Sequence, residues 1–125
     1  MDIVERNVQI LVSVIRQSSV YKEYKKQEEI LSKQPELKDR VNRFRAGNYL
    51  AQREMEREHL FEKMDELVKE SEELRKIPEV NAYLDAELAL CRLIQKITRE
   101  LTWGIGLDIP ALYAGEEKPH ESFKK

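Results

Sequence analysis

Lys33-Gln34-Pro35-Glu36-Leu37 and Lys76-Ile77-Pro78-Glu79-Val80 divide the chain into helical stretches. Each places a proline where a helix can begin, because the N–H that proline lacks would have no intrahelical partner there. Each follows it with a glutamate in the positive field of the first turn. Between them, Glu36 to Arg75 has no proline and no turn cluster. A single helix over that span would be about 60 Å long, against a radius of gyration of about 14 Å for a compact chain of this size. Such a rod needs a neighbour to cover its apolar side.

That side is legible. Leu37, Val41, Phe44, Asn48, Ala51 and Met55 follow one another at alternating steps of four and three, a heptad-like seam. Leu60, Met64, Leu67, Ser71 and Leu74 repeat the rhythm, and a step of five from Met55 to Leu60 joins the two seams. A strict repeat broken once favours a globular bundle over a simple coiled coil. Gly47 costs a helix interior about 1 kcal/mol relative to alanine, so Ala46-Gly47-Asn48 marks a kink, a close helix crossing or a helix end.

Outward from this centre, residues 3–16 carry Ile3 or Val4, Val8, Leu11 or Val12, and Ile15 at helical spacing. Ser18 can cap a second helix over about 19–33, unless the two segments form one bent helix. After Pro78 a fourth helix runs to about Thr102, its stripe widened by Tyr83, Leu90, Leu93 and Ile97 toward more than one neighbour. Gly104 is placed for a C-cap, and Ile105 to Tyr113 is expected to fold back over the bundle. The expected architecture is all-α: an elongated helical bundle, the long central helix antiparallel to the fourth helix, closed as a homodimer. Residues 1–110 form the helical domain and 111–125 a tail mobile at its end.

Composition narrows the function. The 125 residues include 37% charged and 41% apolar side chains and a formal charge of −2, which gives no global field for nucleic acid or an anionic membrane. Locally, Lys33, Lys38, Arg40, Arg43 and Arg45 outweigh Glu36 and Asp39. Lys38, Arg40, Arg43 and Arg45 are therefore the alternative nucleic-acid face. No apolar run approaches a membrane span, and the N-terminal residues lack a secretory pattern, so a cytoplasmic location is expected.

Enzyme chemistry finds little footing. His59 stands among glutamates at helical spacing and reads as a surface histidine, while His120 lies in the tail. Glu58, Glu62 and Glu66 share a face with Asp65 nearby, yet the paired Glu-x-x-His of di-iron bundles is absent. The single cysteine, Cys91, reads as a small core residue. No phosphate-binding glycine loop is present. The expectation is a non-enzyme without metal or cofactor. Aromatic rings bury much area with few rotatable bonds, which makes Phe44, Tyr49 and Phe61 the protein-interface candidates. Tyr49 and Phe61 lie off both seams.

Three motifs in order carry a resemblance: Ser18-Ser19-Val20-Tyr21-Lys22-Glu23-Tyr24, then Pro35-Glu36-Leu37 leading to Phe44-Arg45, then Ile77-Pro78-Glu79-Val80 running into Tyr83-Leu84-Asp85-Ala86-Glu87-Leu88-Ala89-Leu90-Cys91-Arg92-Leu93-Ile94. Over residues 4–109 the chain resembles the YlbF/YmcA family of small helical bacterial regulators, including its YheA branch. The resemblance implies a dimeric cytosolic protein that acts through a heterologous protein partner. Relatives join a complex of three proteins that modulates an endoribonuclease, mRNA maturation and development. Some such complexes bind iron–sulfur clusters through cysteines, including ones near a subunit's C-terminus. The tail after Thr102 has no cysteine, and that role is not carried over to Cys91.

Overall fold

Both proline turns start helices by one backbone device: Gln34 C=O accepts from Lys38 N–H and Ile77 C=O from Asn81 N–H, each at 2.9 Å, with the proline between. The computed structural model describes the backbone of residues 1–53 and 57–107 and the side chains of 1–51 and 61–107. Among them are α1 (Ile3–Arg16), α2 (Ser19–Ser32), α3 (Pro35–Arg53), α4 (Arg57–Arg75) and α5 (Pro78–Gly104), and no strand. Asp2 caps α1 by accepting from Glu5 N–H at 2.8 Å, and Ser18 caps α2 by accepting from Tyr21 N–H at 3.2 Å. The first two segments are thus separate helices, with α2 beginning where Ser18 indicated.

The helix expected to run unbroken from Glu36 to Arg75 is instead two, α3 and α4. They pack antiparallel: Arg40 binds Glu70 at 2.7 Å, and farther along both helices Gly47 faces Lys63 and Leu67. The two half-seams cover each other over most of the described positions. Val41, Ala51, Leu67 and Leu74 are buried, and Leu37, Phe44, Asn48 and Ser71 are half-buried, while Met64, on the same seam, is exposed. A rod would leave this surface in water at about 25 cal/mol per Å², which is why the closed arrangement wins. Gly47 does not end α3. A Cβ there would meet Leu67 Cδ2 at 3.4 Å, so the glycine sits at a close helix crossing.

The chain forms two compact units, residues 1–87 and the segment from Leu88 onward. In the first, α1 touches α2, α2 packs on α3, and α3 on α4. Its core joins Leu31 of α2, Val41 of α3, Leu74 of α4 and Val80, Tyr83 and Leu84 of α5, with Tyr24, Leu37, Phe44 and Ile77 packed around it. The core therefore gathers beside the two proline turns.

In the second unit Leu90, Leu93 and Ile97 are half-buried. Thr102 is buried and donates its hydroxyl to the Thr98 carbonyl at 2.7 Å. Cys91 is exposed, contrary to the core position expected for it. The buried run of α5 ends at Ala86, and Leu88, Ile94 and Leu101 beyond it are exposed as well. The C-cap is Gly106 rather than Gly104. Gly106 has φ 79°, and the N–H groups of Gly106 and Leu107 donate to Trp103 and Thr102 carbonyls at 3.1 and 2.9 Å, a Schellman motif. Ile105 and Leu107 are exposed. The rest of the expected fold-back and the tail from 111 lie outside the described residues.

Two predictions follow from this packing. Gly106→Ala forces a side chain into the left-handed region and lowers the stability by about 1 kcal/mol. Gly104→Ala, with nothing within 4 Å of its Cβ, holds or raises it. Gly47→Ala is tolerated, because its added methyl only touches Leu67, whereas Gly47→Leu parts α3 from α4. Circular-dichroism melts of the four variants check this order. The second concerns Glu28, which accepts from Lys25 Nζ at 2.7 Å and the Tyr24 hydroxyl at 3.1 Å. Its carboxyl is held below the usual range, chiefly by Lys25. A lowered folded-state pKa adds stability above the ordinary carboxylate range and loses it as the pH falls through the depressed value. Glu28→Gln therefore lowers the urea midpoint slightly at neutral pH, and the difference closes below about pH 4.

Candidate protein-contact surface

Three cations of the basic segment of α3 have partners within the fold. Lys38 Nζ lies 5.0 Å from the centre of the Tyr83 ring and the Arg45 guanidinium 5.9 Å from it, both within cation–π reach. Arg45 also pairs with Glu87, one turn past Tyr83 on α5. The Glu87 Oε2 is buried without a well-aligned donor and is compensated by that charge. Burial works against the Arg45 charge, yet Glu87 and Tyr83 hold its pKa above the ordinary value. Burial foremost, then its partner Tyr83 and the Glu28 carboxylate, drive the Tyr24 hydroxyl well up. Tyr83 is likewise raised, by burial first. The two rings lie 5.8 Å apart. With Arg40 on Glu70, three of the four cations considered for nucleic acid are engaged within the fold. Arg43 is exposed.

The interface candidates separate. Phe44 is half-buried against the core, so its ring serves packing inside the chain. Tyr49 and Phe61 are 56% and 74% exposed. The register that pairs Arg40 with Glu70 puts Tyr49 level with Phe61 on the facing helices. Leu50, Met64 and Val68 are exposed in the same stretch of the hairpin. Phe61, Met64 and Val68 share one side of α4 by their spacing, and Glu62, Asp65 and Glu66 of the same helix are exposed as well. Asp65 binds Lys69 at 3.1 Å and Glu66 binds Lys63 at 3.8 Å. His59 and Glu58 lie outside the residues whose side chains are described. Among the described residues no cluster of three His, Cys, Asp or Glu is arranged to hold a metal.

A second surface escaped the sequence reading. The apolar stripe of α1 has the spacing of a covered face, yet α1 has no buried residue. Ile3, Val4, Val8, Ile10, Val12 and Val14 are exposed, and only Leu11 and Ile15 are half-buried. A clue was available: apolar residues occupy more than half the circumference of this helix, wider than one neighbour covers.

No helix among the described residues is long and apolar enough to cross a membrane. No curated protein and no solved structure matches the chain significantly. A family model described as "Control of competence regulator ComK, YlbF/YmcA" matches residues 4–105. That span takes in all five helices but for the first residue of α1, both proline turns and the α3–α4 hairpin. An all-α bundle of these helices, with that match over most of its length, belongs to the YlbF/YmcA family of bacterial regulators.

Proposed function

We propose that the protein is a non-enzymatic regulatory adaptor of the bacterial cytosol, working as a homodimer through contacts with a heterologous protein partner. Its output is a change in RNA processing or in developmental regulation. The observation that carries this reading is the apolar surface of the α3–α4 hairpin around Tyr49 and Phe61. Exposed aromatics are common in protein contacts, and several exposed apolar side chains in one stretch of a surface mark such a site. The engagement of Lys38, Arg40 and Arg45 inside the fold supports protein contact over a nucleic-acid role. Family membership supports regulation over catalysis.

The test is affinity capture from the native cell with the tagged full chain, compared with Tyr49→Ser/Phe61→Ser. A stoichiometric partner is expected, lost at least tenfold in the variant, which corresponds to about 1.4 kcal/mol, with the melting temperature unchanged. A partner retained by the variant refutes the hairpin surface. Salt-sensitive RNA binding that disappears on reversing Lys38, Arg40, Arg43 and Arg45 refutes the adaptor reading in favour of nucleic-acid contact.

A further inference from the structure

An open groove of about 400 Å³ lies between α3 and α4 at Gly47. A Cβ there would stand 3.4 Å from Leu67 Cδ2 and 3.9 Å from Lys63 Nζ, so the missing side chain leaves room beside both. The lining is apolar where it is most buried, at Leu67, Phe44 and Gly47, and charged where solvent reaches it. This groove is separate from the Tyr49–Phe61 surface. At about 100° per residue, Lys63 and Glu70 lie on one side of Leu67 around α4, and Phe61 and Val68 on the other.

The charges along the groove do not cancel. Arg40, Arg43 and Lys63 line it against two carboxylates, Glu66 and Glu70. Arg40 is matched by Glu70 at 2.7 Å. Lys63 reaches Glu66 only at 3.8 Å. Arg43 is exposed and in no ion pair among the described residues, although Asp39 stands four residues before it. One surplus positive charge over an apolar strip suits a ligand that brings a single anion and an apolar group together. We infer that the groove takes an acidic side chain of a protein segment, its carboxylate held by Arg43 and Lys63 while an apolar neighbour in the same segment packs on Phe44 and Leu67. The carboxylate accepts from both cations at once, and charge-assisted bonds of this kind are about twice as strong as neutral ones. Nucleic acid fits worse, because successive phosphates would meet Glu66 and Glu70 as well as the cations, and like charges repel. The inference goes beyond the adaptor reading, since it adds a second contact on the hairpin and gives its chemistry.

The probe is acetyl-Leu-Glu-Leu-amide, titrated into the isotope-labelled full chain and followed at the Gly47 amide and the Leu67 methyl resonances. Acetyl-Leu-Gln-Leu-amide is the neutral control. Saturable shifts at both positions are expected with the glutamate peptide, and binding at least about fivefold weaker with the glutamine peptide. Arg43→Gln and Lys63→Gln each weaken binding about threefold, and together about tenfold, with the melting temperature unchanged because neither side chain is in the core. Two peptides that bind alike, or binding that survives the double change, overturn the carboxylate as the recognised group. No shift at either position up to about 10 mM peptide overturns the site. Inorganic phosphate or a decauridylate RNA that moves the same resonances at lower concentration than the peptide overturns the acidic segment as the occupant. Each of these outcomes is independent of whether Tyr49→Ser/Phe61→Ser releases a native partner.

Discussion

Closure of α3 onto α4 is the constraint from which the rest of the first unit follows. Two half-seams that begin at Leu37 and end at Leu74 cover each other, and the Arg40–Glu70 pair at 2.7 Å marks the register. An exposed pair of this kind contributes little energy, about 0–1 kcal/mol. A slip of one turn would bring Glu66 to the same place, so the ion pair does not select the register. The apolar contact supplies both the stability and the choice. Because the hairpin ends return to the same place, Pro35 and Pro78 start their helices beside one core.

That core explains why a segment with a local positive charge behaves as structure. Tyr83 is fully buried and its ring lies under Lys38 and Arg45, so two cations lie close to the interior. Cations near an apolar centre need compensation, and Glu87 one turn along α5 provides it for Arg45. Removing one partner leaves the other charge half-buried and unpaired, which costs more than the pair contributes. The Tyr24–Tyr83 contact joins α2 to the same network. Charge and ring thus tie α2, α3 and α5 together at one point, where apolar packing alone would tolerate several rotations of α5.

Much of this was legible in the sequence. The two prolines, the Ser18 cap and the heptad-like seams translate almost residue for residue into α2, α3, α4 and α5, because helix starts and stripes depend on local chemistry. The step of five between Met55 and Leu60 fits a stripe shifting round one helix as well as it fits two helices whose half-seams cover each other. Local periodicity is the same for a rod and for a hairpin, so only tertiary contact separates them. Cys91 failed for a related reason: its stripe position is that of buried Val80 and Leu84, but a stripe records which side of a helix is apolar and not how far along the helix the burial runs. Tyr49 and Phe61, off the seams, were legible as surface positions, while Phe44, on the seam, belonged to the core side.

A rod over residues 36–75 would have offered its apolar face to a second subunit, and the hairpin covers that face within the chain. Among the described residues, what stays exposed is the apolar arc of α1 and the Tyr49–Phe61 stretch of α3 and α4. Two apolar surfaces on different helices, without a shared residue, can be occupied independently, and changes at separated sites add in free energy.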